Sequence, residues 1–431
     1  MPFETFGQPP RRIAVIGGGI AGMTAAHFLA GENSVVLFEA DGRLGGHART
    51  VLAGKRGDQP VDTGFIVYNK VNYPNLVALF EKLDVPTTES DMSFGASIKG
   101  GWFEYGTRTN RAFFEQRQNL LRPKFWGMFR DMLHFNRNAL AASRQPGLTI
   151  GGLLDNLGTG EWFRDYYITP LSGAIWSTPT RGILDFPAEA MIRFFENHNL
   201  LGISGQHQWY TVKGGSTQYV RRLGEAMARQ GVEIRLGAAV AAIRREEGGV
   251  FVRAHGGVWE LFDDVVLATH SDISLGMLTD PTPEERRALS AVRYQPNVAV
   301  LHRDASVMPK RRGVWSSWVY SEPKGARPDR IDLTYWMNSL QNIPQDDPLF
   351  VTLNPNREIR EEAIYETNTF HHPVYDLPAL AAQERLRASN GRANTWFAGA
   401  WMRNGFHEDG MVSALDVVAA MKARAAARLA A

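Results

Sequence analysis

The sequence predicts an α/β fold: a discontinuous nucleotide-binding domain on a parallel sheet, interrupted by an inserted α+β lobe. Three observations predict it. A complete strand–turn–helix–strand unit occupies Arg12 to Glu39. Apolar strand-like stretches then return only much later, at Val232–Ile243, Leu261–Thr269 and Trp396–Ala400. Two long aromatic-rich regions, 76–204 and 276–389, separate them. The spacing predicts one nucleotide-binding domain from 11–75, 205–275 and 390–431, a substrate lobe from the two intervening regions, and a short tail at 1–10. A chain of 431 residues has room for both bodies.

The first unit carries the most information. Arg12–Ile16 is a short buried-strand pattern, Ile20–Ala30 is a helix of small and apolar residues, and Ser34–Glu39 is a second strand. Between the first two lies Gly17-Gly18-Gly19-Ile20-Ala21-Gly22, a G-x-G-x-x-G turn. Gly17 permits the turn, Gly19 lets a pyrophosphate approach the backbone, and Gly22 lets helix and strand close. The helix start at Ile20 and Ala21 aims free N–H groups and a positive dipole end at the phosphates. Glu39, at the end of the second strand, suits both ribose hydroxyls and repels a 2′-phosphate, which disfavours NADP. This is a Rossmann-like arrangement.

The triplet by itself says only dinucleotide. Ala40-Asp41-Gly42-Arg43-Leu44-Gly45-Gly46-His47 follows it. Arg43 can reach a pyrophosphate as a charge-assisted donor, and Gly45 and Gly46 let the backbone pass close to the cofactor. Ala40 and His47 flank these contacts; His47 is expected to orient backbone rather than perform chemistry. Near the other end, Trp396-Phe397-Ala398-Gly399 is a strand ending in glycine. It leads through Gly405-Phe406-His407-Glu408-Asp409-Gly410-Met411 into a helix expected from about Met411.

Composition narrows the chemistry. With no cysteine, disulfides, thiolate metal sites, iron–sulfur clusters and a cysteine nucleophile are excluded, and no metal site is expected. The net charge of +2 implies no polyanionic partner, and nucleic acid is not expected. The start MPFETFGQPP lacks a signal-peptide pattern, and no apolar run approaches the roughly 18–20 residues of a membrane span. One local stretch stands out: in 117–144, six Arg and Lys side chains are opposed only by Asp131 and interleaved with Phe125, Trp126, Met128 and Phe129. A helix from Pro123 would carry a basic amphipathic face suited to an anionic bilayer. The alternative is a lobe helix with solvated arginines. The expectation is a cytoplasmic protein with peripheral contact on the inner face of the membrane.

The E-x-x-x-R-x-G-G pattern from Glu39 to Gly46 resembles FAD-binding families that include amine oxidases and carotenoid desaturases. Val61-Asp62-Thr63-Gly64-Phe65-Ile66-Val67-Tyr68-Asn69 and the GFHEDG stretch, Gly405–Gly410, are narrower. Together they resemble a bacterial subgroup of FAD-dependent oxidoreductases related to amine oxidases and phytoene desaturases. Within it, the chain most resembles the fatty-acid desaturases of the bacterial furan fatty acid pathway. The resemblance implies an amine-oxidase-like fold and non-covalent FAD. It implies that Asp409 meets a ribityl or pyrophosphate-side group, that the Gly410 and Met411 N–H groups face the flavin C2 carbonyl, and that Val240 makes an adenine-side backbone contact. It also implies a reaction: a methylated mono-unsaturated acyl chain, on phospholipid, loses two hydrogens to give a conjugated methylated diene, with oxygen as acceptor.

His407 and Glu408 are the base candidates beside the expected flavin contact, and Tyr68 is a candidate for facing the ring. The lysine that many amine oxidases place near flavin N5 has no identifiable counterpart. The competing readings are a flavin amine oxidase producing hydrogen peroxide and a flavoprotein in which FAD only stabilises the fold.

Overall fold

The computed structural model describes residues 10–202, 205–325, 327 and 329–430. The tail expected at 1–10 lies, apart from Pro10, outside the described residues.

Five parallel strands form the nucleotide-binding sheet, in the order Glu233–Arg235, Ser34–Phe38, Arg12–Ile16, Asp264–Leu267, Thr395–Phe397. Sequence-distant strands meet here because four of the five are short, mostly apolar runs buried on both faces, with the polar Glu233–Arg235 at one edge. The alternation is strict. Ile13, Val15, Val35 and Leu37 point into the core beneath the helices Ile20–Leu29 and His407–Ala430. Ala14, Ile16, Val36 and Phe38 point into a second core, closed by the three-stranded sheet Val240–Glu246, Gly249–Ala254, Glu260–Phe262. Of the strands expected in Val232–Ile243, the first joins the parallel sheet and the second opens this small antiparallel one.

The lobe is built on a seven-stranded mixed sheet ordered Ile364–Val374, Arg293–His302, Phe350–Leu353, Leu333–Trp336, Trp318–Ser321, Phe94–Ile98, Phe103–Gly106. Helices from 123–197 cover it, and Phe103, Tyr105, Phe125, Phe135, Phe163 and Phe195 form the middle of their shared core. The helix expected from Pro123 runs Pro123–Ala142, with proline in its first turn. Two pieces assigned to the lobe by position in the chain pack elsewhere. Leu76, Leu79 and Phe80 of Pro74–Lys82 join the nucleotide core, and Ala379, Ala382 and Leu386 of Leu377–Ser389 cover the back of the parallel sheet. The first packs on the helix His407–Ala430, and the second shares the core behind the sheet.

Among the described residues, no helix is long and apolar enough to cross a membrane.

Candidate active site

The glycine turn forms a cradle whose geometry explains each glycine. Gly17 has φ +105° and its N–H donates to Phe38 O at 2.8 Å. A Cβ on Gly22 would lie 1.8 Å from Gly17 O, so only glycine lets the helix sit this close to the turn. A Cβ on Gly19 would meet nothing within 4 Å, because that side faces open cavity. Gly19 also caps the helix Ile20–Leu29 with no side-chain hydrogen bond. The N–H groups at the helix start are therefore left for an anion, and the cradle fits a pyrophosphate. Gly45 pairs back onto it, its N–H donating to Gly18 O at 2.8 Å, and Gly46 lies against Gly19 Cα.

Glu39 accepts from Gly18 N at 2.5 Å and from Asp41 N at 2.7 Å, which holds its carboxylate at the edge of the cavity. Gly18, given no task in the motif, is glycine because a Cβ there would press on this carboxylate.

Several expected contacts fall elsewhere. Arg43 donates to the carbonyls of Leu44, Gly46 and Ala48 at 3.2, 2.9 and 3.0 Å. It braces the loop carrying the glycine pair instead of reaching forward to phosphate. Ala40 is exposed and outside the cavity wall. The side chain of Val240, whose backbone is the expected adenine-side contact, packs in the core behind the sheet. The C-terminal helix begins at His407, not near Met411. Consequently Gly410 N–H donates to Phe406 O at 3.1 Å, and Met411, 2 % exposed, packs in the nucleotide core. Neither is free to face a flavin carbonyl. A Cβ on Gly410 would lie 2.9 Å from Ile20 Cγ2, so this glycine lets the starts of the two helices approach each other. Asp409 accepts from Phe406 N at 3.0 Å and caps its own helix; burial pushes its carboxyl up to about 6.

Two of the three catalytic candidates are structural. Glu408 accepts from Asn75 N, Asn75 Nδ2 and Leu76 N at 3.0, 2.6 and 3.0 Å. It caps the helix Pro74–Lys82, whose own N-cap, Tyr73, offers no side-chain acceptor. Tyr68, 2 % exposed, packs edge-on against Phe80 and Tyr73 in the nucleotide core. The strand Val67–Asn69 turns it away from the cavity, while Val67 lines the wall. His407 does reach the cavity. Its ring stacks on Phe65 at 3.8 Å, and its Nε2 is 2.7 Å from Tyr219 Oη. Burial, then His47, pulls its imidazole down to about 3.

The rest of the VDTGF stretch is explained by packing. Asp62 gathers Ser216 N, Ser216 Oγ and Thr50 Oγ1 at 2.8, 2.8 and 2.6 Å. Gly64 lies directly against His47 O, where a Cβ would be 1.9 Å away. The segment thus presses the Gly45-Gly46-His47 turn into place.

A cavity of ≈ 810 Å³ runs from the cradle into the lobe, ending at Phe113, Phe114, Phe129, Met132 and Asn136. Among the described residues no lysine or arginine lines it, and Glu39, at the nucleotide end, is its one carboxylate. The lysine sought in the sequence therefore has no counterpart in this wall. Six histidines line it instead: His47, His198, His270, His371, His372 and His407. Burial pulls His47, His198 and His270 down to about 4 and His372 to about 3, so these rings are neutral at pH 7. Sequence reasoning missed His198, His270, His371 and His372. His198 stacks on Phe194 at 3.8 Å, and its Nδ1 sits 2.9 Å from Phe194 O. A carbonyl only accepts, so Nδ1 carries the proton and Nε2 presents a lone pair. The i, i+4 spacing of Phe194 and His198 at a helix end was the available signal.

Residues 20–311 match the family described as flavin containing amine oxidoreductase. The chain belongs to that family. Membership implies a flavin cofactor, and the uncapped cradle with its free helix N-terminus accommodates the FAD pyrophosphate. The protein is thus an FAD-dependent oxidoreductase with a Rossmann-like, amine-oxidase-like fold. Similar solved structures include the CLA-producing fatty acid isomerase from P. acnes, 17% identical with TM-score 0.69 over 95% of this chain and 98% of that one. A putrescine oxidase bound to putrescine is 15% identical with TM-score 0.68, over 96% and 99%. The cyclohexylamine oxidase from Brevibacterium oxydans IH-35A is 16% identical with TM-score 0.64, over 96% and 100%. At these identities the likeness is one of fold. A search of curated proteins gives no significant match.

Proposed function

We propose that this flavoenzyme dehydrogenates an unsaturated acyl chain. The observation that carries the reading is the inner chamber: aromatic and aliphatic walls, no cationic side chain, and a carboxylate only at the nucleotide end, among the described residues. An acyl chain needs apolar surface and no counter-ion. That the chain is methylated, mono-unsaturated and carried on phospholipid rests on the resemblance of Val61–Asn69 and Gly405–Gly410 to the furan fatty acid desaturases.

Bound FAD supplies a two-electron acceptor. A C–H next to a double bond is a better hydride donor than an isolated one, because developing positive charge spreads over the alkene. Loss of a hydride from one allylic carbon and a proton from the other leaves a conjugated diene; oxygen takes the two electrons onward and gives hydrogen peroxide. Hydride departure acidifies the remaining proton, so a weak base is enough. His198 Nε2 is the acceptor we assign, since its Nδ1–H is held by Phe194 O. The chamber walls exclude water and hold the chain.

The membrane reading rests on the same end of the molecule. Leu120, Leu121, Trp126 and Trp102 are exposed beside Arg117, Lys124 and Arg130, directly outside the Phe113, Phe114 and Phe129 wall. We propose that this patch docks on anionic phospholipid and that FAD is held non-covalently. Co-sedimentation with anionic liposomes that is indifferent to changing Arg122, Lys124, Trp126 and Arg130 would defeat the docking.

The deciding experiment is anaerobic mixing with phospholipid bearing methylated mono-unsaturated chains, following the oxidised flavin band and analysing the chains. Bleaching with diene formation is expected. Bleaching by amines alone would turn the assignment to an amine oxidase, and bleaching by neither would leave FAD a structural role.

A further inference from the structure

The strands Arg293–His302 and Ile364–Val374 pair with Gln295 opposite His372 and Asn297 opposite Phe370. Residues two apart share a face of a sheet, so Gln295, Asn297, Phe370 and His372 project together, and Phe370 and His372 reach the cavity wall. Behind them is a chain of hydrogen bonds with one direction. Val298 N–H donates to Asn354 Oδ1 at 3.0 Å, and Asn354 Nδ2 donates to Ile331 O at 3.1 Å. Two backbone groups of opposite polarity leave that amide one orientation. Its Nδ2 also donates to Asn297 Oδ1 at 2.7 Å, and Gln295 Nε2 approaches the same oxygen at 3.4 Å. Asn297 must therefore present its oxygen to Asn354 and its NH₂ to His372, whose Nδ1 lies 2.8 Å away. An amide nitrogen only donates, so His372 Nδ1 is a lone pair and Nε2 carries the proton. Protonating Nδ1 would set two donors face to face.

We propose that His372 is a neutral histidine locked as an Nε2–H donor into the cavity beside His47, that this hydrogen bond serves the flavin ring, and that Asn297 and Asn354 are the positioning residues that hold the tautomer. The inference rests on the FAD reading. His372 Nε2 has no hydrogen-bond partner among the described residues. An acyl chain filling the cavity offers it no acceptor, and a donor shut off from water without a partner costs about 1–3 kcal/mol. The flavin ring has acceptor nitrogens and oxygens on which negative charge grows during reduction, so a fixed N–H stabilises the reduced form. A neutral donor does this without placing a cation in an apolar chamber. The other titratable groups around it are His47, His270 and His371; burial keeps the first two neutral as well.

The test uses the FAD-loaded wild type, His372→Leu, His372→Gln and Asn297→Asp. Ring ¹⁵N spectra of wild type, assigned with His372→Gln, should show His372 Nε2 protonated and Nδ1 bare from pH 5 to 8; Asn297→Asp, which offers an acceptor, should protonate Nδ1. The flavin midpoint potential should fall in His372→Leu by a tenfold change in the reduction equilibrium, about 30 mV for two electrons. It should be largely restored in His372→Gln, whose amide N–H replaces the lost donor. A protonated Nδ1 in wild type, or a potential equal in wild type and His372→Leu, overturns the proposal. Wild type that binds no FAD would overturn the flavin reading beneath it, while its ¹⁵N spectrum would still report on the tautomer lock.

Discussion

The two ends of the cavity are built by opposite means. At the nucleotide end the wall is backbone: Gly17, Gly18, Gly19, Gly45 and Gly46, where the essential property is the missing Cβ. At the chamber end the wall is side chains from elements far apart in the chain, with Phe113 and Phe129 from one stretch and Tyr335, Phe370 and Tyr375 from others. At Gly17 and Gly45 an added Cβ would meet the carbonyls of Ala268 and Ala48, which cannot rotate away. A side-chain chamber can repack around a change, so its alterations should move selectivity before stability.

The contrast breaks first at Gly22. Gly22→Val places Cβ within 1.8 Å of Gly17 O. FAD per protein, read from absorbance of the purified variant, should fall to near zero; a stoichiometric flavin complement would show that the helix can back away. At the other end, Leu171→Trp adds bulk to the chamber wall formed by Thr169–Trp176. Oxidation of long acyl chains should fall at least tenfold with FAD retained, and an unchanged rate would mean that the chain lies elsewhere.

Smaller effects separate structure from chemistry. Glu408→Ala strips the acceptor from three donors at the start of Pro74–Lys82. It should cost about 2 kcal/mol in denaturant unfolding. Glu408→Gln, which keeps an oxygen, should cost less, and flavin reduction in either folded variant should keep its rate. A collapse of that rate with stability intact would return Glu408 to the chemistry. For acid sensitivity, His47, His198 and His270 sit at about 4 in the fold against an ordinary value of 6.5. Between those values the unfolded chain binds more protons than the folded one. Their contribution is therefore fully present above about pH 6.5 and is lost as pH falls toward 4. His270→Phe, which keeps the stack on Tyr294, should shallow that decline by close to one proton; an unchanged slope would place the proton uptake elsewhere. Last, Tyr68→Phe should cost about 1 kcal/mol or less and leave flavin reduction unchanged, as a core tyrosine requires.

The nucleotide half was legible because its rules are local. A glycine at a positive-φ turn, an acid closing the next strand and an apolar run buried on both faces are each decided within a few residues. The errors cluster where a residue's partner is remote. Glu408 looked catalytic from its neighbours in the chain, yet its partners are at Asn75 and Leu76. Arg43 is expected at a phosphate, but the folded loop takes its donors at the carbonyls of Gly46 and Ala48. The Gly410 N–H, which the resemblance aims at the flavin, is spent inside a helix that starts at His407, four residues before the expected Met411.

By itself, then, the sequence determined the α/β class, the Rossmann-like unit at Arg12–Glu39 and the second glycine turn, since backbone conformation and strand burial are written in residue type at short range. Only the tertiary structure decided which side chains meet in the cavity. His198, His372 and Asn297 acquire their roles from partners up to 75 residues away, and a hydrogen bond's direction exists only once both of its ends are in place.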